Sequence, residues 1–183
     1  THAIFCVRNV IESFISDGST VNVCALDLSK AFDRMNHYDL FNKLMDRNFP
    51  NVILNVIESW FNLSVTCVRW VGHVSHFFRL VAGVRQGGVL SPVLFSIFID
   101  DIVYKIKQAN VGCYLSLVCT SIFLFADDIL LVAPSVSGLQ YLLNVCEREL
   151  EALDMRLNIN KSIYIRSGQR FDFNCSELHS LHG

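Results

Sequence analysis

The chain has little charge and little proline, and neither sign of charge dominates. Of its 183 residues, 17% are charged and 3 are proline, whereas 52% are apolar. Because disordered chains are charge-rich and poor in apolar residues, this composition excludes intrinsic disorder and predicts roughly one folded domain. The formal net charge is −2, so no chain-wide basic field marks a nucleic-acid partner. A local basic groove remains compatible with this charge.

Long hydrophobic runs are also missing. The longest covers residues 111–125 and stops before Asp127, whereas roughly 20 residues are needed to span a bilayer. The sequence therefore predicts no membrane helix and no membrane partner. No basic-then-apolar segment opens the chain, so we expect no signal peptide. The apolar surplus and the start in mid-pattern at Thr1 predict a piece of a larger protein.

Paired cysteine motifs are absent too. The seven cysteines are scattered and none forms C-x-x-C. They predict reduced core thiols in an intracellular, reducing setting, rather than disulfides or zinc ligands. His73 and His76 have a metal-compatible spacing, but no further ligand lies near them in the sequence, so we expect no metal there.

The hydrophobic pattern predicts helices and strands in irregular alternation. Helical spacing appears over 3–14, 36–47, from Asn51 onward (with Val52, Val56 and Trp60 on one stripe), over 91–108, and from Ser135 or Ser137. Strand patterns cover 21–27, 65–71, 74–81, 113–118, 121–133 and 162–166. Without a steady βαβ order, this pattern favours an α+β fold with a largely antiparallel sheet backed by helices.

Asp127 and Asp128 stand between two apolar strands. A two-residue hairpin turn often contains Asp, which favours a solvated turn, but such turns prefer a following Gly that is missing here. Two adjacent charges beside an apolar face are costly unless a cation or strong donors neutralise them. We therefore predict a functional role for these acids. The doublet Asp100–Asp101 sits in a predicted helix, where neighbours point about 100° apart and each reaches solvent, so we interpret it as structural.

A third acid, Asp27, ends a buried strand 100 residues before Asp127. The end of one strand and a neighbouring hairpin turn can converge on one point. Oxygen ligands with open positions suit Mg²⁺, which prefers one or two carboxylates plus substrate phosphates. Two such ions about 3.5–4 Å apart stabilise the attacking and leaving oxygens of a phosphoryl displacement.

A glycine-rich segment from Gly83 to Gly88 precedes the helix that Ser91 and Pro92 open. Glycines just before a helix let the backbone approach a ligand closely. A plain connector explains this segment equally well.

Together, four segments resemble the palm of a reverse transcriptase of the non-LTR (LINE-like) retrotransposon type. They are A-L-D-L-S-K-A-F-D (25–33), G-V-R-Q-G-G-V-L-S-P-V-L-F (83–95), F-A-D-D (125–128) and L-N-I-N-K-S (157–162). They follow the family's order, and the resemblance runs over residues 1–170. It implies an antiparallel sheet backed by helices with a ferredoxin-like core. It also implies RNA-directed DNA polymerase activity with Mg²⁺, or Mn²⁺ in its place.

The resemblance assigns roles residue by residue. Asp27, Asp127 and Asp128 form the metal-binding triad, in which the first two are the main ligands. Lys161 matches a general acid that protonates the leaving pyrophosphate, and Phe32 matches an aromatic gate that excludes a 2′-hydroxyl. Taken alone, Lys161 also fits a surface lysine and Phe32 a core residue.

The remaining implied contacts concern the incoming nucleotide. The backbone around 28–31 faces the triphosphate, and two residues of the glycine-rich segment lie beneath the nucleotide and the template. The residues in question are Leu28, Ser29, Lys30, Ala31, Gln86 and Gly87.

The resemblance also predicts how the chain is organised. Residues 1–20 form a residual fingers or palm-entry helix, 21–168 form the palm, and 169–183 form a tail leading to an absent primer grip and thumb. The resemblance further implies that this segment carries incomplete fingers and no endonuclease. The expected partners are an RNA template, a DNA primer, deoxynucleoside triphosphates and the fingers, thumb and endonuclease parts of a longer polyprotein, in the nucleus.

Two alternatives stay open from the sequence. A truncated or decayed retroelement would keep the fold without catalysis, and the missing flanks favour it. Another two-metal templated nucleotidyltransferase would use the same acids on ribonucleotides, which the gate assigned to Phe32 opposes.

Overall fold

The computed structural model describes residues 2–168 and 176–181. The elements and their bounds are as follows: α1 (His2–Ser16), β1 (Val21–Leu26), α2 (Ala31–Arg34), α3 (His37–Asp46), α4 (Asn51–Asn62), β2 (Val65–Thr66), β3 (Arg69–Trp70), β4 (His73–Val74), β5 (Phe78–Arg79), α5 (Ser91–Gln108), β6 (Tyr114–Leu115), β7 (Val118–Cys119), β8 (Ile122–Phe125), β9 (Asp128–Ala133), α6 (Val136–Ala152), a short 3-10 helix (Ile159–Lys161) and β10 (Ile163–Ser167). They fall into two compact units, one built from the residues before Lys30 and after Phe98 and the other from Lys30–Phe98.

The first unit contains a four-stranded sheet in the order β10-β1-β9-β8. Every pairing in it is antiparallel, with Val23 facing Ile165 on one side and Val132 on the other. The central strand β1 is rich in apolar residues and largely buried, as a strand flanked on both sides requires. The predicted antiparallel α+β fold is confirmed.

Helices cover both faces of this sheet. Val10 of α1 packs with Val21, Val23 and Val132, which are alternate residues on neighbouring strands and so share one face. On the other face, Cys24 of β1 borders a cavity together with residues of α6. The predicted cap of α6 is confirmed, because the Ser135 hydroxyl accepts a hydrogen bond from the Gly138 N–H at 3.1 Å. The inward stripe of α6 is also as predicted, with Leu139, Leu142, Leu143, Cys146 and Leu150 buried.

The second unit contains α2, α3, α4, a hairpin formed by the strands from β2 to β5, and the start of α5. Asn36 caps α3 as predicted, accepting from the Tyr38 N–H at 2.9 Å. The stripe predicted for α4 is wrong, because Val52 and Val56 are exposed and the buried residues are Ile57 and Phe61. The reason is local, since the Phe61 ring stacks on His37 at a centroid distance of 4.0 Å and turns that face of the helix inward.

Other boundaries also differ from the sequence patterns. The strand predicted over 113–118 is a small hairpin, because Ser116 adopts a positive φ of 56° between β6 and β7. The cap of α4 is Pro50, not Asn51. Ser91 is the first residue of α5, and its hydroxyl donates to the Arg85 carbonyl at 2.6 Å.

Within residues 2–168 and 176–181, none of the six cysteines forms a disulfide, while Cys175 lies outside the described residues. Burial raises the pKa of the Cys24 thiol to about 11 and that of the Cys113 thiol to about 12, so both stay protonated and unreactive at neutral pH. In the same residues, no helix combines the length and apolar character needed to cross a bilayer.

Residues 176–181 lie against α6. The Gln140 side chain donates to the His179 carbonyl at 2.7 Å and accepts from its N–H at 2.8 Å. Two turns further along the helix, Glu147 is 4% exposed. One of its carboxylate oxygens accepts from the Ser180 hydroxyl and the other from the Leu181 N–H at 2.9 Å. This segment therefore provides hydrogen-bond donors to a buried carboxylate, which would otherwise lose part of its solvation.

Replacing Ser180 with alanine is expected to lower the free energy of unfolding by about 1–3 kcal/mol, because Glu147 then loses one donor while remaining buried. In a chain of this size, each kcal/mol lowers the melting temperature by roughly 2–4 °C. Thermal unfolding followed by circular dichroism measures the effect. Ser176→Ala is the matched control, since Ser176 is exposed in the same segment. Equal melting temperatures for the two variants would show that the Ser180–Glu147 hydrogen bond does not stabilise the fold.

Candidate active site

The predicted acid doublet lies at the hairpin between β8 and β9. Phe125 pairs with Asp128, which leaves Ala126 and Asp127 as the two turn residues. Ala126 adopts a positive φ of 53°, the conformation that two-residue hairpin turns require at their first position. The sequence predicts both acids in the turn. The structure places Asp127 there, whereas Asp128 is the first residue of β9.

Asp27 lies at the same end of the sheet. Leu26, the last residue of β1, pairs with Ile129, the second residue of β9. The residues that follow and precede this pair are Asp27 and Asp128, so the antiparallel register carries these two acids to neighbouring positions. Asp27 and Asp127 are half-buried, and Asp128 is exposed.

The backbone of Asp27 is held by the segment that precedes β10. Its N–H donates to the Ser162 hydroxyl at 3.3 Å, and its carbonyl accepts from the Asn158 N–H at 2.8 Å. The chain next to it is also paired, because Leu28 forms an isolated antiparallel bridge with Leu157. The L-N-I-N-K-S segment thus fixes where β1 ends. Sequence reasoning missed this role of Asn158 and Ser162, and the only signal for it is their place in that motif.

Lys161 reaches the same acid. Its Nζ lies 3.9 Å from Oδ2 of Asp27, with the lysine side chain 70% and the aspartate side chain 31% exposed. Because the pair is largely solvated, it adds little to stability. The contact places a cationic group beside Asp27.

The donor atoms at this end of the sheet fit a divalent metal in their chemistry. The three carboxylates offer only oxygen, which is what hard cations such as Mg²⁺ bind. Within residues 2–168 and 176–181, no three His, Cys, Asp or Glu side chains form a group that could hold a metal ion by themselves. Asp27, Asp127 and Asp128, expected as a triad, are therefore not such a group. Mg²⁺ is usually held by one or two carboxylates with substrate phosphates, so a smaller set of these carboxylates still suits it.

The residues predicted to contact the nucleotide divide between the units. Leu28 and Ser29 directly follow Asp27, and the Ser29 N–H donates to the Arg156 carbonyl at 2.9 Å. In the other unit, Lys30 has a left-handed φ of 53° and is the N-cap of α2, in which Ala31 is buried.

Phe32 is supported from behind in the second unit. Its ring is half-buried and lies 4.8 Å, centroid to centroid, from the ring of Phe95, tilted by 41°. Phe95 itself is fully buried. The aromatic contact limits the orientations that the Phe32 side chain can adopt.

The glycine-rich segment is joined to the chain around Phe32. The Val84 N–H donates to the Phe32 carbonyl at 2.8 Å. A Cβ at Gly83 would lie 2.9 Å from backbone atoms of Phe32 and Asp33, so only glycine permits this approach. The close approach predicted for this segment is thus made to the protein's own backbone. Gln86 and Gly87 are exposed in the following turn.

Residues 9–173 match the family described as reverse transcriptase (RNA-dependent DNA polymerase). The chain is 30% identical over 139 residues to a retrovirus-related Pol polyprotein from the type-2 retrotransposable element R2DM of Drosophila melanogaster. It is also 30% identical over 151 residues to the RNA-directed DNA polymerase from the mobile element jockey of the same species. These alignments cover 76% and 79% of the chain but only 13% and 16% of the two relatives.

Solved structures with a similar fold include two telomerases. One is from Candida albicans, in complex with the TWJ fragment of telomeric RNA, with a TM-score of 0.67 and 18% identity over 89% of the chain and 29% of the telomerase. The other is an apo telomerase from Candida tropicalis truncated from its C-terminal domain, with a TM-score of 0.67 and 17% identity. It is matched over 95% of this chain and 35% of its own. At these identities the similarity concerns the fold.

Proposed function

Because this chain belongs to the reverse transcriptase (RNA-dependent DNA polymerase) family, we propose that it is the catalytic palm of a retrotransposon polymerase that copies RNA into DNA. The observation that carries the proposal is the register of β1 and β9, which brings Asp27 and Asp128 to neighbouring positions beside the turn that holds Asp127. Carboxylates at a strand end and at the neighbouring hairpin turn are groups that can bind the divalent cations used in phosphoryl transfer. We propose residues 21–168 as the palm.

In the proposed mechanism, Asp27 and Asp127 are the main metal ligands and Asp128 lies beside them. The bound Mg²⁺ ions, or Mn²⁺, would lower the pKa of the primer 3′-hydroxyl and neutralise charge on the triphosphate. The protein's contribution is mainly to position these groups and to fix the charges before reaction. Asn158 and Ser162 serve that purpose by holding the Asp27 backbone in place.

Lys161 supplies the proton in this mechanism. Its ammonium group lies beside Asp27, where the leaving pyrophosphate would form next to the ligand carboxylate. Donation of the proton from Nζ to a pyrophosphate oxygen neutralises the charge that develops on the leaving group.

The proposed substrates are deoxynucleoside triphosphates, an RNA template and a DNA primer. The backbone from Leu28 to Ala31 faces the triphosphate, Gln86 and Gly87 lie beneath the nucleotide, and the Phe32 ring excludes the 2′-hydroxyl of a ribonucleotide. The assay is primer extension on an RNA template by a longer protein that carries this segment with fingers and thumb. Extension that proceeds equally without the RNA template would contradict the proposal.

Replacing Phe32 with alanine is expected to lower the preference for deoxy- over ribonucleotides by about tenfold or more, because the group that excludes the 2′-hydroxyl is removed. The measurement is the ratio of kcat/KM for dCTP and CTP in single-nucleotide extension. Phe95→Leu is the comparison variant, since it weakens the support behind Phe32 but keeps the Phe32 ring. An unchanged ratio in Phe32→Ala would refute the gate and favour a ribonucleotide polymerase or a core role.

A further inference from the structure

Helix α6 contains a buried carboxylate that has no role in the proposed mechanism. Glu147 is 4% exposed, although acidic residues are almost never buried to this degree without partners. Its two carboxylate oxygens accept from the Ser180 hydroxyl and from the Leu181 N–H. Glu147 therefore holds residues 176–181 against the helix.

Two cavities join Glu147 to the 3-10 helix that ends at Lys161. Glu147, Ser180 and Ile159 line both of them, the smaller of about 140 Å³ and the larger of about 440 Å³. Ile159 is the first residue of the 3-10 helix. The smaller cavity is also lined by Ser162, which holds the end of β1. The segment that Glu147 holds is therefore part of the surroundings of the 3-10 helix.

The 3-10 helix has little packing of its own. It is three residues long, Ile159 is 51% exposed, and the Lys161 side chain is 70% exposed. Its hydrogen bonds come mainly from Asn158, whose carbonyl accepts from the Lys161 N–H at 3.1 Å and whose N–H donates to the Asp27 carbonyl at 2.8 Å. Short turns with few buried contacts open easily. The position of this turn therefore depends on the segments that border it.

We propose that Glu147 is a positioning residue for Lys161 and acts through residues 176–181. The inference rests on the proposed function, in which Lys161 donates a proton to the leaving pyrophosphate. The segment held by Glu147 limits the displacement of the 3-10 helix, and so keeps Lys161 Nζ near Asp27, at 3.9 Å from its Oδ2. A proton donor that is displaced from its partner loses much of its effect, because the reaction requires close and aligned groups.

Hydrogen exchange of backbone amides, measured by NMR on the 183-residue chain, tests this contact without any activity. Glu147→Gln keeps the size of the side chain but replaces one acceptor oxygen with an NH₂ group, which cannot accept. The Val132 N–H, which donates to the Ser121 carbonyl at 2.8 Å, reports on opening of the sheet. We expect the Asn158 and Lys161 amides to exchange about tenfold faster relative to Val132, because the turn opens locally.

Single-turnover incorporation by a longer polymerase that carries this segment tests the effect on Lys161. Glu147→Gln is expected to slow incorporation about tenfold at saturating nucleotide, with less than about a twofold change in the dissociation constant of the nucleotide. In a Lys161→Ala background the same substitution is expected to slow incorporation less than about twofold further, because the group that it positions is already missing. Ser180→Ala should give the same pattern from the donor side.

Two control variants separate positioning from stability. Glu177→Gln makes the same chemical change at an exposed position of residues 176–181, and we expect neither the exchange ratio nor the rate to change more than about twofold. Val10→Ala removes buried volume beside the opposite face of the sheet. It is expected to lower the melting temperature and to leave the incorporation rate unchanged.

Equal acceleration of the Asn158 and Val132 amides in Glu147→Gln would overturn the proposal, because it would show a general loss of stability. Independent losses of rate in the double variant would overturn it too, as would a loss in Val10→Ala as large as that in Glu147→Gln. Absence of extension by the wild-type polymerase would instead contradict the proposed function. The exchange ratio would then decide by itself whether Glu147 holds the 3-10 helix in place.

Discussion

Replacing Asp127 with asparagine is expected to lower primer extension about a thousandfold or more. The substitution keeps the size of the side chain but removes the negative charge that would hold a cation at the β8–β9 turn. Metal ions contribute several kcal/mol of transition-state stabilisation in such reactions, and each 1.36 kcal/mol is about a factor of ten in rate. The measurement is single-turnover nucleotide incorporation by a longer polymerase that carries this segment, at saturating deoxynucleotide.

The same chain provides the control for this experiment. Asp100→Asn makes the same chemical change in an exposed acid doublet on α5, and the expected change in rate is less than about twofold. Thermal unfolding of both variants checks that they are folded. If Asp127→Asn keeps more than a tenth of the wild-type rate while Asp100→Asn is normal, the assignment of Asp127 as a metal ligand is wrong.

Replacing Lys161 with alanine is expected to lower nucleotide incorporation by about a hundredfold. The expected loss is the usual contribution of a positioned general acid, and the lysine lies 3.9 Å from Asp27 at the proposed site. The measurement is pre-steady-state incorporation of one deoxynucleotide, with the dissociation constant of the nucleotide determined in the same experiment. A slower chemical step with little change in that constant is the expected pattern.

Arginine at this position separates charge from proton transfer. Lys161→Arg keeps a cation beside Asp27, but the guanidinium stays protonated and does not act as an acid at neutral pH. We therefore expect the arginine variant to be nearly as slow as the alanine variant. A wild-type rate in Lys161→Arg would show that the position needs only positive charge. Lys107→Ala, on the exposed side of α5, controls for the loss of a lysine elsewhere.

The parts of the fold that could be predicted are those whose structure is determined by residues of the same short segment. Ser135 and the apolar repeat from Leu139 to Leu150 predict α6 because the cap and the buried stripe both belong to the helix. The position of Asp27 at a strand end follows in the same way from the apolar run before it. The buried side of α4 could not be predicted in this way, because Val52 and Ile57 are equally apolar. The stacking of Phe61 on His37 of α3 decides which side of the helix is buried.

The sequence proposes residues for the candidate site, but it does not predict their contacts. Motif order identifies Asp27 and Lys161, yet their 3.9 Å approach depends on the pairing of β1 with β10, which no local pattern encodes. The hydrogen bonds that hold residues 176–181 against α6 were not predictable either. Gln140 and Glu147 are polar residues in a helix and look solvated from the sequence, although they hold an extended segment.

The two-residue connection between Phe125 and Asp128 also limits how the length of this chain can vary. Side chains of a strand alternate between the two faces of the sheet. Adding or removing one residue at Ala126 would shift the register of β9 by one residue and move each of its side chains to the opposite face. Ile129 and Leu131, which are buried, would then change places with their neighbours, and Asp128 would no longer adjoin Asp27. Substitutions at Ala126 that tolerate a positive φ are compatible with the hairpin, but a change of chain length there is not. The two-residue length of this turn thus determines both the packing of β9 and the positions of the acids.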